Sequence, residues 1–104
     1  MKSSALIADI GGTNARFGIV DEAGTHDLQY LECKNYAGPA EAAEAYLRGI
    51  SYKGRPLSAV FAVAGPVSGD LINFTSSPWS FRISTTQRDM GLTHFEVMND
   101  FQAV

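Results

Sequence analysis

Asp9-Ile10-Gly11-Gly12-Thr13-Asn14-Ala15-Arg16 is the first stretch of this 104-residue sequence whose residue types suit chemistry. Glycines let backbone N–H groups converge on an anion and let it approach closely. Thr13 and Asn14 add side-chain donors. A carboxylate just before the turn, here Asp9, suits Mg²⁺ held through water, because that ion keeps several waters and prefers carboxylate and phosphate oxygens. The same residues also fit a plain Gly-rich hairpin turn with Asp9 as a surface charge. The phosphate motifs G-x-x-x-x-G-K-[ST] and G-x-G-x-x-G are both absent.

Asn99-Asp100 is the second candidate, because it directly follows a predicted strand. Ligand sites of α/β sheets lie at the carboxyl ends of strands. A carboxylate at a helix start stays ionised, so it can accept a proton from a hydroxyl group. Asn99 can donate and accept hydrogen bonds beside it. Helix capping by Asn99 and a favourable first-turn charge at Asp100 explain the pair equally well. In Thr75-Ser76-Ser77-Pro78-Trp79-Ser80-Phe81, Trp79 either walls a polar pocket or, with Phe81, belongs to the core. Arg16 fits a phosphate contact or a solvated strand position. His26 and His94 have no partner at metal-ligand spacing and read as surface or strand residues. Cys33, the only cysteine, reads as a small core residue.

Composition narrows the function classes. Hydrophobic residues make up 45% and charged residues 18%, so the chain can bury a core. The net charge is −3 and the eight basic residues are scattered, which argues against binding nucleic acid. The apolar run before Asp9 is too short for a membrane span. A single cysteine fits a reducing cytosol.

The elements that must position these residues read as α/β. Residues 5–8 form a buried strand ending at Asp9-Ile10, Gly11 to Asn14 form a turn, and residues 15–20 return as a hairpin with Ala15, Phe17 and Ile19 on one face. Residues 26–36 form a third strand. Gly38-Pro39 opens a helix with Ala43, Tyr46, Leu47 and Ile50 as its buried stripe. Residues 57–64 are a continuous apolar run, expected for a strand covered on both faces. Gly65-Pro66 breaks it, and residues 70–74 suggest a short extra strand. Ser84 and Gln87 have capping-box spacing for a helix that Gly91 ends. Residues 95–98 form the last strand, and Asn99 caps a further helix. The order is three meandering strands, then helix, strand, helix, strand.

Four segments occur in a set order over essentially the whole chain: Ala8-Asp9-Ile10-Gly11-Gly12-Thr13-Asn14-Ala15-Arg16, Ala64-Gly65-Pro66-Val67, the Pro78-Trp79 loop, and Gly91-Leu92 through Asn99-Asp100-Phe101-Gln102-Ala103-Val104. In that order and spacing the sequence resembles the bacterial glucokinases, sugar kinases of the actin/hexokinase superfamily. The resemblance implies an RNase-H-like α/β domain with a mixed sheet, in a cytoplasmic enzyme. It also implies ATP with Mg²⁺ and transfer of the γ-phosphate to the 6-hydroxyl of glucose. It carries over Asp100 as catalytic base, Asn99 as a sugar contact, and Gly11, Gly12, Thr13 and Asn14 as the phosphate loop beside Asp9. Ser76 falls on the sugar side, where the family often has Asn.

The resemblance further implies that residues 1–104 are the N-terminal, small domain of a longer enzyme and inactive alone. Apolar surface left uncovered on residues 57–64 and 95–98 then predicts a homo-oligomer, a dimer first. The expected partners are glucose and ATP, with no nucleic acid and no membrane. The alternatives are another actin-like sugar kinase, acting on an N-acetylhexosamine, fructose or an anhydro sugar, and a non-catalytic sugar sensor. A two-metal nuclease of the same fold ranks lower, since it needs clustered carboxylates and the second strand offers Arg16 instead.

Overall fold

The computed structural model describes residues 4–65, 67, 69–73 and 79–99. Five strands form the main sheet: β1 (Ala5–Ile10), β2 (Asn14–Asp21), β3 (Gly24–Glu32), β4 (Ser58–Val63) and β7 (His94–Asn99). Their order is β3-β2-β1-β4-β7. β1, β2 and β3 pair antiparallel, whereas β4 and β7 run parallel to β1. This is the mixed sheet expected of an RNase-H-like domain. A ribbon of β5 (Leu71–Asn73) and β6 (Ser80–Arg82) stands apart from it. β5 matches the expected extra strand, while β6 comes from the segment read as the Trp79 loop. Two helices, α1 (Pro39–Gly49) and α2 (Ile83–Met90), complete the described chain. Among the described residues no helix is long and apolar enough to cross a membrane.

Period-two alternation decides which side of the sheet is core. Leu6, Ala8 and Ile10 of β1, Ala15, Phe17 and Ile19 of β2, and Ala59, Phe61 and Val63 of β4 are all buried. One ring contact links α1 to the sheet, and two more continue across the strands. Tyr46 stacks on Phe17 at 5.4 Å, Phe17 meets Phe61 edge-on at 6.2 Å, and Phe61 meets Phe95 edge-on at 4.9 Å. Offset and edge-to-face pairs of this kind add to the burial of their area. Trp79 and Phe81 are buried in the same cluster. The indole N–H of Trp79 donates to the Tyr36 carbonyl at 3.0 Å. Core, not pocket wall, is therefore the role of both.

The structure corrects several expectations. β4 is buried on one face only: Ser58, Val60 and Ala62 are half-buried, and Leu57, just outside the strand, is 60% exposed. α1 and α2 touch each other and bury their residues in one core, so no described helix covers the opposite face. β3 starts at Gly24 and stops at Glu32, not at residue 36. Cys33–Asn35 is a 3-10 turn instead, closed by Tyr36 N–H on the Cys33 carbonyl. Ile50 is only half-buried, packing against the same core from just outside α1. It caps the helix after Gly49, while Pro39 and Ala42 join the buried set.

The capping box at Ser84 and Gln87 does not form. Ser84 lies inside α2, whose N-cap is Arg82. The Asp70 carboxylate reaches across instead, accepting the Ser84 N–H at 2.9 Å and the Ser84 hydroxyl at 2.7 Å. Gln87 points the other way and donates to the carbonyls of Leu92 and Thr93. Gly91 ends the helix as expected, at φ 67°, where a side chain would be strained.

The Ser84 hydrogen bonds, hydroxyl first and N–H second, hold the Asp70 carboxyl below its ordinary pKa, and Arg82 adds to this. A group whose pKa is lowered by folding stabilises the fold above the ordinary carboxylate range and loses that effect as pH falls through its own titration. Asp70→Ala should therefore lower the urea midpoint at neutral pH, and the gap should narrow in acid. A gap that is constant from neutral to acid pH would refute the ionised cap.

Candidate active site

Parallel pairing brings three strand ends to one edge of the sheet. Ile10 of β1 is in register with Val63 of β4, and Val63 with Asn99 of β7. The carboxyl ends of the three strands therefore lie side by side, at the usual ligand edge of an α/β sheet. Two strand spacings place the end of β7 about 10 Å from the end of β1. Backbone and side-chain ties fix the three ends. Ala64 N–H donates to the Ile10 carbonyl at 3.1 Å. The half-buried Asn99 donates its side-chain amide to the Gly65 carbonyl.

The loop after β1 is held from both sides. Gly11 N–H donates to the Asn14 carbonyl at 3.0 Å, and Cys33 N–H donates to the Thr13 carbonyl at 2.9 Å. The buried Cys33 thiol lies 3.9 Å from the Gly11 carbonyl. Neither Gly11 nor Gly12 has positive φ, so the loop does not need glycine for its dihedrals. Among the described residues, a Cβ added at Gly11 would meet only the Asn14 carbonyl oxygen, at an ordinary 3.5 Å.

Asp9, Gly11, Asn14, Arg16 and Tyr30 line an open cleft of about 210 Å³ at this edge. Three of the five expected loop residues thus converge. Gly12 and Thr13 do not line the cleft, and Thr13 contributes its carbonyl to the Cys33 tie instead. Asp9 and Arg16 are direct cross-strand neighbours, as are Arg16 and Tyr30. The Arg16 guanidinium lies over the Tyr30 ring, 6.0 Å from its centroid. Arg16 is at once solvated and part of the cleft, so both readings of it hold in geometry. A carboxylate on one wall, a guanidinium on the other and a Gly-rich turn between suit a metal–phosphate group.

Tyr30 is not among the candidate site residues read from the sequence, where it is only a residue of the third strand. It faces Arg16 because β3 carries one extra residue. The β2–β3 pairing shifts between Phe17 and Ile19, next to Asp27, which has φ 57°. The Tyr46 hydroxyl donates to the Asp27 carbonyl at 2.7 Å. Burial pushes the Tyr46 pKa up to about 12, with the Asp27 charge adding to it, so the hydroxyl stays a donor. His26, read as a lone residue, sits 2.8 Å from the Asp21 carboxylate and 2.7 Å from that of Asp27. Those hydrogen bonds, Asp21 first, hold its pKa above the ordinary value. Among the described residues no three His, Cys, Asp or Glu side chains cluster as a metal site. Asp100 and Ser76, expected as base and sugar contact, lie outside the described residues.

Known proteins share both sequence and fold with this chain. A sequence model of the glucokinase family matches residues 6–104. The glucokinase of Paramagnetospirillum magneticum is 44% identical over 105 residues, covering 100% of this chain and 33% of that protein. The glucokinase of Nitrobacter hamburgensis is 40% identical over 103 residues, covering 99% of this chain and 32% of that protein. The chain thus spans about a third of the length of these relatives. Among solved structures, a glucokinase from an Antarctic psychrotroph superposes with a TM-score of 0.87 at 30% identity, over 97% of this chain and 33% of the other. A glucokinase from Balamuthia mandrillaris, solved in complex with glucose, shares the fold with a TM-score of 0.65 at 19% identity, over 97% of this chain and 30% of the other. With the family match running over nearly its whole length, the chain belongs to the glucokinase family.

Proposed function

We propose that this chain forms the phosphate- and sugar-facing edge of an enzyme that transfers the γ-phosphate of ATP to the 6-hydroxyl of glucose. The observation that carries this reading is the cleft of Asp9, Gly11, Asn14 and Arg16 at the carboxyl end of β1. Phosphoryl transfer is catalysed mainly by positioning and by neutralising charge on the phosphate oxygens. The turn from Gly11 to Asn14 supplies donors to those oxygens, and Arg16 supplies positive charge from the facing strand. The single exposed carboxylate of Asp9 fits Mg²⁺ that arrives on the nucleotide with its waters, since such an ion needs only one or two protein carboxylates. When bound, that ion neutralises charge on the phosphates. Asp100, next after Asn99, takes the proton of the attacking hydroxyl, with Asn99 and Ser76 as sugar contacts. The names of the relatives and the family support glucose as the sugar.

Gly11→Ala in the full-length enzyme tests the phosphate role. Among the described residues the added methyl meets nothing closer than an ordinary contact. Displacing a phosphate by about 1 Å can cost a hundredfold in rate. Turnover with ATP should fall by about that factor, while glucose binding by calorimetry and the unfolding midpoint stay unchanged. Loss of glucose binding to the same degree would mean that the loop serves the fold and not the nucleotide.

A further inference from the structure

We propose that Tyr30 is a positioning residue for nucleotide phosphate, acting through Arg16; this rests on the phosphoryl-transfer reading above. Asp9, Arg16 and Tyr30 form one row across β1, β2 and β3, on the sheet face that the described helices leave open. Direct neighbours in such a row have Cβ atoms about 5 Å apart, so Arg16 can turn to either side. It turns to the ring: its guanidinium lies over Tyr30, and among the described residues it makes no salt bridge with Asp9. The difference matters for an anion site. A carboxylate partner would use the guanidinium N–H donors and cancel the charge. A guanidinium held against an aromatic face keeps its edge donors for a bidentate oxyanion.

The placement depends on the bulge. Continuing the register of Ile19 with His26 without the extra residue would set Gln29, not Tyr30, opposite Arg16. Bulges beside active sites commonly re-aim one side chain in this way. Here the bulge is fixed by the Tyr46 hydroxyl on the Asp27 carbonyl and by His26 between two carboxylates. Tyr30 itself is 69% exposed, so the fold does not need its ring for the core.

The test uses the full-length enzyme with Tyr30→Leu, Tyr30→Phe, Arg16→Ala and the Arg16→Ala/Tyr30→Leu double variant. An exposed cation–π contact corresponds to about a two- to fivefold effect. Tyr30→Leu should lower kcat/KM for MgATP by that factor and leave KM for glucose unchanged. Tyr30→Phe, which keeps the ring, should restore most of the loss. In the Arg16→Ala background, Tyr30→Leu should change nothing further. Calorimetric binding of inorganic tripolyphosphate should follow the same pattern without any turnover. Equal losses from Tyr30→Leu with and without Arg16, or an equal loss in Tyr30→Phe, overturn the proposal. A protein that binds tripolyphosphate in the expected pattern but phosphorylates no sugar keeps the role of Tyr30 and overturns the reaction instead.

Discussion

Asp100→Asn in the full-length enzyme should reduce glucose phosphorylation by about 10²–10⁴-fold, the usual cost of losing a general base. The expectation starts from the register of the sheet. β7 ends at Asn99 in line with Val63 and Ile10, so the strand ends at the same edge as the Gly11 loop. Asn keeps the shape of Asp and its hydrogen-bonding reach but cannot accept the proton as an anion. Steady-state rates should therefore fall in kcat, while calorimetric glucose binding changes little. Near-normal turnover would remove Asp100 from the role of base and leave it as a helix-start charge.

The largest effect on stability is expected at Phe61. Its ring is fully buried on β4, between β1 and β7, and it meets Phe17 on one side and Phe95 on the other. Phe61→Ala removes a ring that both neighbours pack against, and cavities of this kind cost about 3–5 kcal/mol. A domain of this size has only about 5–15 kcal/mol in total. Urea unfolding should show a midpoint lower by about 2 M, given slopes of about 1–3 kcal/mol per molar. Phe61→Leu, which keeps much of the volume, should cost clearly less. Equal midpoints for Phe61→Ala and the parent would mean that the ring row is not the centre of the core.

Much of the scaffold was legible because its cause is local. Alternation in β2 declares which side chains face inward, and Pro39 and Gly91 mark helix ends by their backbone preferences. The Gly11 loop was legible as a place, since a carboxylate, two glycines and two donors adjoin in sequence. What stayed hidden depends on contacts between distant segments. The cap on α2 comes from Asp70, fourteen residues from Ser84, so the nearer Gln87 was a misleading signal. The apolar run of β4 could not reveal that both described helices lie on one side of the sheet. Tyr30 was beyond reach for a further reason: counting along a hairpin assumes a constant register, and one extra residue beside Asp27 moves every later pair by one.

The contact between Cys33 and the loop after β1 makes the chain its own reporter of local opening. Its single cysteine is buried, with its thiol against the Gly11 carbonyl and its N–H on the Thr13 carbonyl. Alkylation needs an exposed thiolate, so a reagent can reach Cys33 only when the segment lifts away. The labelling rate, compared with that of the unfolded chain, thus measures the free energy of that local excursion. An anion bracing the loop would slow the reaction, so the labelling rate of this buried sulfur would time ligand binding at the cleft that Gly11 lines.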